Sequence, residues 1–189
     1  MIGKSLLQLT YEHFLNICDN DQIYVLTNET YADLVAEQLP AILKENILLG
    51  PSRNNTSPCI AYAAYKTGAA NPQANIVVAP SDHLILKEEI FLNKIEQALS
   101  YSSNNDALLT LGISPTMPDT GYSYIQYQGS TIKNQVENAE IKKVNTFMEK
   151  TILAKAEEYL ASGDYIRNAG IFIWSLSSLK GHSRSMFRK

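Results

Sequence analysis

Apolar residues recur every three to four positions in some stretches of the chain and run consecutively in others. Ser5 to Leu15 sets Leu7, Tyr11 and Phe14 on one helical face, and Asp19-Asn20-Asp21 breaks the pattern. Ile23 to Thr27 is a short β-rich run and predicts a strand. Tyr31 to Leu39 predicts a helix stopped by Pro40, and Ile47-Leu48-Leu49 a second strand. Pro58 opens a helix over Cys59 to Lys66, where its missing N–H costs nothing.

Asn75 to Ala79 and Ala107 to Ile113 are compact apolar runs, as expected of strands buried on both faces. Between them Pro80-Ser81-Asp82-His83 makes a turn and Glu88 to Ser102 a helix. This alternation predicts an α/β protein with an open, mostly parallel sheet flanked by helices. Tyr122 to Tyr127 and Ile141 to Phe147 read as extended strands, Ile152 to Ser162 as a helix ending at Gly163, and Ile171 to Trp174 as a last strand. The tail from Gly181 to Lys189 has no apolar period and reads as loose. There is no internal repeat and no low-complexity linker.

Composition narrows the function classes. A chain of 189 residues with 45% hydrophobic and 19% charged residues suits one globular domain rather than a disordered one. A net charge of -3 without a basic run argues against a nucleic-acid binder. No apolar stretch has bilayer length, so no membrane partner is expected. Cys18 and Cys59 form no CxxC pair, and the first residues lack a signal-peptide core, so a reduced, cytoplasmic protein is expected.

In open α/β sheets ligands bind beyond the carboxyl ends of the strands. Asp82, on the turn after the 75–79 strand, is therefore a candidate Mg²⁺ ligand, with phosphate and water completing the shell; the alternative is a turn or helix cap. His83 reads as a turn residue rather than a base. Gly121 to Ile125 fails the nucleophile-elbow pattern at its last position, so a serine hydrolase has no support. Gly3-Lys4-Ser5 matches only the end of a phosphate-binding loop. Arg53 to Pro58 precedes a helix and suits either a cap or phosphate and base contacts. Pro118 to Tyr122 is a turn entering a strand, Lys150 suits a phosphate, and Asn168 suits a sugar hydroxyl.

In order and spacing, GKSLLQLTYEHF, PSRNNTSPCIAYAAY, NIVVAPSDHLI, LTLGISPTMPDTGYSYIQ, KKVNTFMEK and NAGIFIW resemble the mannose-1-phosphate guanylyltransferase family of sugar nucleotidyltransferases, from about Lys4 to Trp174. The resemblance implies a Rossmann-like nucleotide-diphospho-sugar transferase fold. It also implies guanylyl transfer from GTP to mannose 1-phosphate, giving GDP-mannose and pyrophosphate by in-line attack. Asp82 would hold Mg²⁺ and act with Lys150 in catalysis. Asn55, Thr56 and Ser81 would meet the nucleotide. Gly121, Tyr122, Glu149 and Asn168 would meet the sugar and its phosphate. A homo-oligomer stays open.

The departures from the family pattern have a trend. The Gly-rich loop of the form GGxGTRLWPLSR…PKQ that precedes GKSLLQ in the family has no counterpart here, and no second metal-binding Asp follows Trp174. Residues 1–189 are thus expected to be a single catalytic domain without its N-terminal Gly-rich strand-loop and its C-terminal part. Such a domain should be weak or inactive alone and should expose apolar surface. Gly50 stands where Glu is usual, Asn54 where Arg is frequent, Ser123 for Gly, Thr151 for Pro, and Arg167 for an aromatic residue. These changes keep a second reading in view, a non-catalytic homologue that binds or senses a sugar nucleotide.

Overall fold

The computed structural model describes the backbone of residues 3–50, 56–131, 140–149 and 151–186, and the side chains of these except 56, 57, 130, 131 and 182–186. Helix α1 (Leu6–Leu15) starts at a reciprocal cap. The Ser5 hydroxyl accepts the Gln8 N–H at 3.2 Å, and the Gln8 side chain accepts the Ser5 N–H at 2.9 Å. Strand β1 (Val25–Thr27), helix α2 (Ala32–Gln38) and strand β2 (Ile47–Leu49) follow, and β1 pairs with β2 in parallel, Val25 opposite Ile47. Tyr11 of α1 packs with Val35, Leu39 and Ile42 over this small sheet.

The larger sheet is organised by its last strand. After α3 (Thr56–Ala70) come β3 (Asn75–Val78), α4 (Glu88–Asn104), β4 (Leu108–Ile113), β5 (Tyr124–Thr131), β6 (Lys142–Met148), α5 (Leu153–Ser162) and β7 (Tyr165–Ser175). Phe172 stands opposite both Val78 and Thr110, and Arg167 opposite both Ile113 and Tyr124. Hence β4 runs along one edge of β7 while β3 and β5 share the other. All three are antiparallel to β7, so they point in one direction, and β6 closes the sheet antiparallel to β5. Gly112 stands where β4 meets β7 at a register shift, and a Cβ there would force the Ile166 side chain to move.

Helix α4 covers this sheet. Ile95 and Ile173, both 0% exposed, pack with Ala98, Ala169 and Ile171. Burying each isoleucine contributes about 1.5–3 kcal/mol. Helix α1 links the two sheets. It meets α2 through Ser5 and Gln8, which bond Gln38, and meets α4 through His13, whose Nδ1 lies 2.8 Å from Glu88 Oε1.

The α/β organisation with helices on the sheets is as the sequence predicts, and the elements fall close to their expected positions. Against the expected mostly parallel sheet, parallel pairing among the described residues is confined to β1 and β2, and each pair in the larger sheet is antiparallel, because β7 lies between strands that share a direction. β7 is also far longer than Ile171 to Trp174. The polar residues Arg167 and Asn168 stay extended because strands hold both of their edges. Only Gly170, at φ +70°, departs toward the left-handed region. β3 and β4, expected to be buried on both faces, are half-buried, with Asn75 exposed in β3 and Leu108, Gly112 and Ile113 exposed in β4. Gly181 to Met186, read as loose, belong to helix α6 (Leu176–Met186). Ser175 Oγ accepts the Ser178 N–H at 3.1 Å and Leu176 is fully buried, so the helix is anchored at its first turn.

Candidate active site

Strand β3 ends at Val78 and the chain turns through Pro80, Ser81 and Asp82. Ser81 is exposed, and the Asp82 side chain is 81% exposed with His83 Nε2 4.0 Å from its Oδ1. The turn is nonetheless fixed at its base. Pro80 lies so close to Gly170 that a Cβ there would be 3.4 Å from Pro80 Cγ. The Asp82 turn is therefore held beside the middle of β7.

One open carboxylate suits Mg²⁺, which keeps several waters and takes one or two carboxylates together with substrate phosphates. Among the described residues no group of three or more His, Cys, Asp or Glu gathers to form a fully protein-built metal cage. The donor set fits a metal shared with a ligand.

Two residues from Gly170 stands Asn168, and its side chain is built in. Its Oδ1 accepts the Gly170 N–H at 3.0 Å and lies 2.8 Å from Thr110 Oγ1, which also lies 2.8 Å from the Ile171 carbonyl. The Gly170 N–H fixes which end of the amide is the oxygen. The amide nitrogen then has no acceptor among the described residues and is left as a donor. The Asn168 N–H donates to the Ser123 carbonyl at 2.9 Å, which brings the Tyr122-Ser123 end of the preceding loop alongside.

That loop has its own internal bonds. Asp119 Oδ1 accepts the Gly121 N–H at 2.8 Å. The buried Tyr124 hydroxyl donates to the Asp119 carbonyl and accepts the Asp119 N–H, each at 3.0 Å. Gly121 and Tyr122 are exposed on its rim. Glu149, also exposed, follows Met148, which pairs with Tyr124, so it lies at the same end of the sheet.

The structure thus sets the segments carrying Asp82, Ser81, Gly121, Tyr122 and Glu149 around the Arg167-to-Gly170 stretch of β7 that holds Asn168. Thr56 is the first residue of α3, beyond the carboxyl end of β2, where the Gly50 N–H donates to the Thr27 carbonyl. Asn55 and Lys150 lie outside the described residues.

Sequence reasoning missed Thr110, Asp119 and the Tyr124 hydroxyl. The only signals were a hydroxyl inside the apolar run Leu108 to Leu111 and an Asp two residues before a Gly. The tyrosine and cysteine groups with displaced titration are not candidate residues. Burial raises Tyr11 and, with Tyr159 and Asp164 nearby, Tyr165; burial and then Asp19 and Asp21 raise the Cys18 thiol. Cys18 and Cys59 are both free. A polar cleft of about 420 Å³, lined by Ser102, Asn105, Ser175 and Ser178, lies at the opposite end of the sheet, where β3 and β4 begin.

The chain is 38% identical over 174 residues to a mannose-1-phosphate guanylyltransferase of Salmonella montevideo, covering 91% of this chain and 36% of that protein. It is 35% identical over 176 residues to a mannose-1-phosphate guanylyltransferase of Escherichia coli, covering 91% of this chain and 37% of that protein. The chain therefore spans little more than a third of the length of these relatives. A crystal structure described as mannose-1-phosphate geranyltransferase from Thermus thermophilus superposes with a TM-score of 0.80 at 24% identity, over 94% of this chain and 49% of that one, which shows the shared fold. The sequence pattern of the nucleotidyl transferase family matches residues 1–187, and the chain belongs to that family.

Proposed function

We propose that the chain carries the sugar-facing wall and part of the phosphate-facing wall of a mannose-1-phosphate guanylyltransferase. In this reading residues 1–189 are part of a single cytoplasmic nucleotidyltransferase domain. GTP and mannose 1-phosphate are its substrates. The observation that carries the reading is Asn168, whose carbonyl oxygen is used internally while its amide donor, without an acceptor among the described residues, stands between the Asp82 turn and the Tyr122 rim.

A phosphate oxygen of mannose 1-phosphate attacks the α-phosphorus of GTP. A new P–O bond forms, the bond to the bridging oxygen of the β-phosphate breaks, and pyrophosphate leaves with the electron pair. The chain's work is to hold these groups in line and offset their charge. Asn168 donates to a sugar hydroxyl, Glu149 accepts from one, and Gly121 and Tyr122 border the ring. Asn55, Thr56 and Ser81 meet the nucleotide, and Lys150 neutralises phosphate. Mg²⁺, held through Asp82, would supply charge neutralisation on the nucleotide phosphates.

Calorimetry with GDP-mannose and release of pyrophosphate from GTP and mannose 1-phosphate test this together. Binding with at most weak turnover by residues 1–189 alone is the expected result, and failure to bind GDP-mannose overturns the proposal. Binding with no turnover at all, even at high enzyme concentration, favours the second reading, a sugar-nucleotide-binding homologue. The single exposed carboxylate at Asp82 is the observation on its side.

A further inference from the structure

We propose that Arg167 is a positioning residue that fixes the Met117–Tyr122 loop against β7 and thereby sets how tightly the hexose end of a sugar nucleotide is held. The proposal rests on Gly121 and Tyr122 bordering the hexose. Its ground is where the loop begins and ends. β4 ends at Ile113 and β5 begins at Tyr124, and these two residues flank Arg167 on opposite edges of β7. The connection leaves one side of Arg167 and returns to the other, so this side chain stands in the mouth of the loop.

The guanidinium is spent on that loop. Nη2 donates to the Met117 carbonyl, Nη1 lies 3.9 Å from Asp119 Oδ2, and the central carbon lies 5.4 Å from the centre of the Tyr122 ring. The side chain is only 15% exposed, and its Nε has no acceptor among the described residues. A charge this enclosed has given up most of its water, so its contacts count for more than those of a surface arginine. Tyr122 rests against this cation and stays 44% exposed, with surface left for a ligand.

The base of the loop is held separately, by Tyr124 bonding both backbone groups of Asp119. Loss of Arg167 should therefore free the rim without unfolding the loop. A brace of the whole fold would weaken every ligand alike, whereas a residue acting through the rim weakens only the hexose end.

Two measurements on the 189-residue chain separate these. Amide exchange at Gly121 and Tyr122 should quicken about tenfold in Arg167→Met, with α4 unchanged. GDP-mannose should bind about tenfold more weakly and GDP within about twofold of the unaltered chain. Arg167→Lys, which keeps the charge but not the fork, should recover part of both effects. Asp119→Asn gives a smaller loss of the same kind and carries the test if Arg167→Met folds poorly.

Unchanged exchange at 121–122 overturns the proposal, as does equal weakening of GDP and GDP-mannose. If GDP-mannose does not protect the Gly121 and Tyr122 amides of the unaltered chain, the hexose-border reading fails and the proposal with it. If it protects them equally in the unaltered chain and in Arg167→Met, the border reading stands and the proposal alone fails.

Discussion

The two walls of the candidate site are built in opposite ways. On the β7 wall, Asn168, Thr110, Ser123, Asp119 and Tyr124 satisfy one another through bonds of 2.8–3.0 Å. On the β3 wall, Asp82 stands in water with a histidine 4.0 Å away. The first wall is rigid before any ligand arrives, and its cost of ordering is met by folding. The second has its partners still to come. Shape is selected by preorganised groups whose polar atoms are bonded within the wall, and phosphate charge is left to a carboxylate open to water.

The contrast breaks most clearly at Asn168. Asn168→Ala leaves the Gly170 N–H without its acceptor and should cost about 2–3 kcal/mol, read as a lower urea midpoint. Tyr124→Phe removes one hydroxyl that serves two backbone groups of Asp119 and should cost about 1–2 kcal/mol, with faster exchange at 119–122. A smaller effect is expected at alkaline pH. Burial raises the Tyr165 pKa above its unfolded value of about 10. Its contribution is therefore fully present below that unfolded value and is lost as pH rises through the raised folded one. Tyr165→Phe should lessen the fall in melting temperature above pH 10. Asp82→Asn should shift stability by no more than about 0.5 kcal/mol, yet abolish the gain in nucleotide affinity on adding Mg²⁺. A large loss of stability there would show that the β3 wall is braced like the other.

Legibility in the sequence followed the range of the interactions. The cap at Ser5 and Gln8, the stop at Pro40 and the αL glycine at Gly163 are local, and the helices they bound lie where the sequence puts them. Asp82 was singled out by its place after a strand, which is also a local relation, and the structure does put it on the turn after β3. Thr110 could not be found, because the amide it serves is 58 residues away. The antiparallel course of β7 was hidden for the same reason: Arg167 and Asn168 are polar, and only strands from distant parts of the chain hold them extended. Helix α6 was missed because Leu176 and the Ser175 cap, rather than an apolar period, anchor it. Leu108 at 49% and Ile113 at 51% are exposed at the two ends of β4.

The place of β7 in the sheet also governs when the sheet can exist. Asn75 waits for Ser175, a hundred residues later, and β4 and β5 wait for the same strand. At about 5–20 residues per second, translation leaves β3 without its β7 partner for roughly 5–20 seconds. During synthesis the β7-facing edges of three strands stay open until their common partner emerges, so shelter for those edges on the ribosome should favour a good yield.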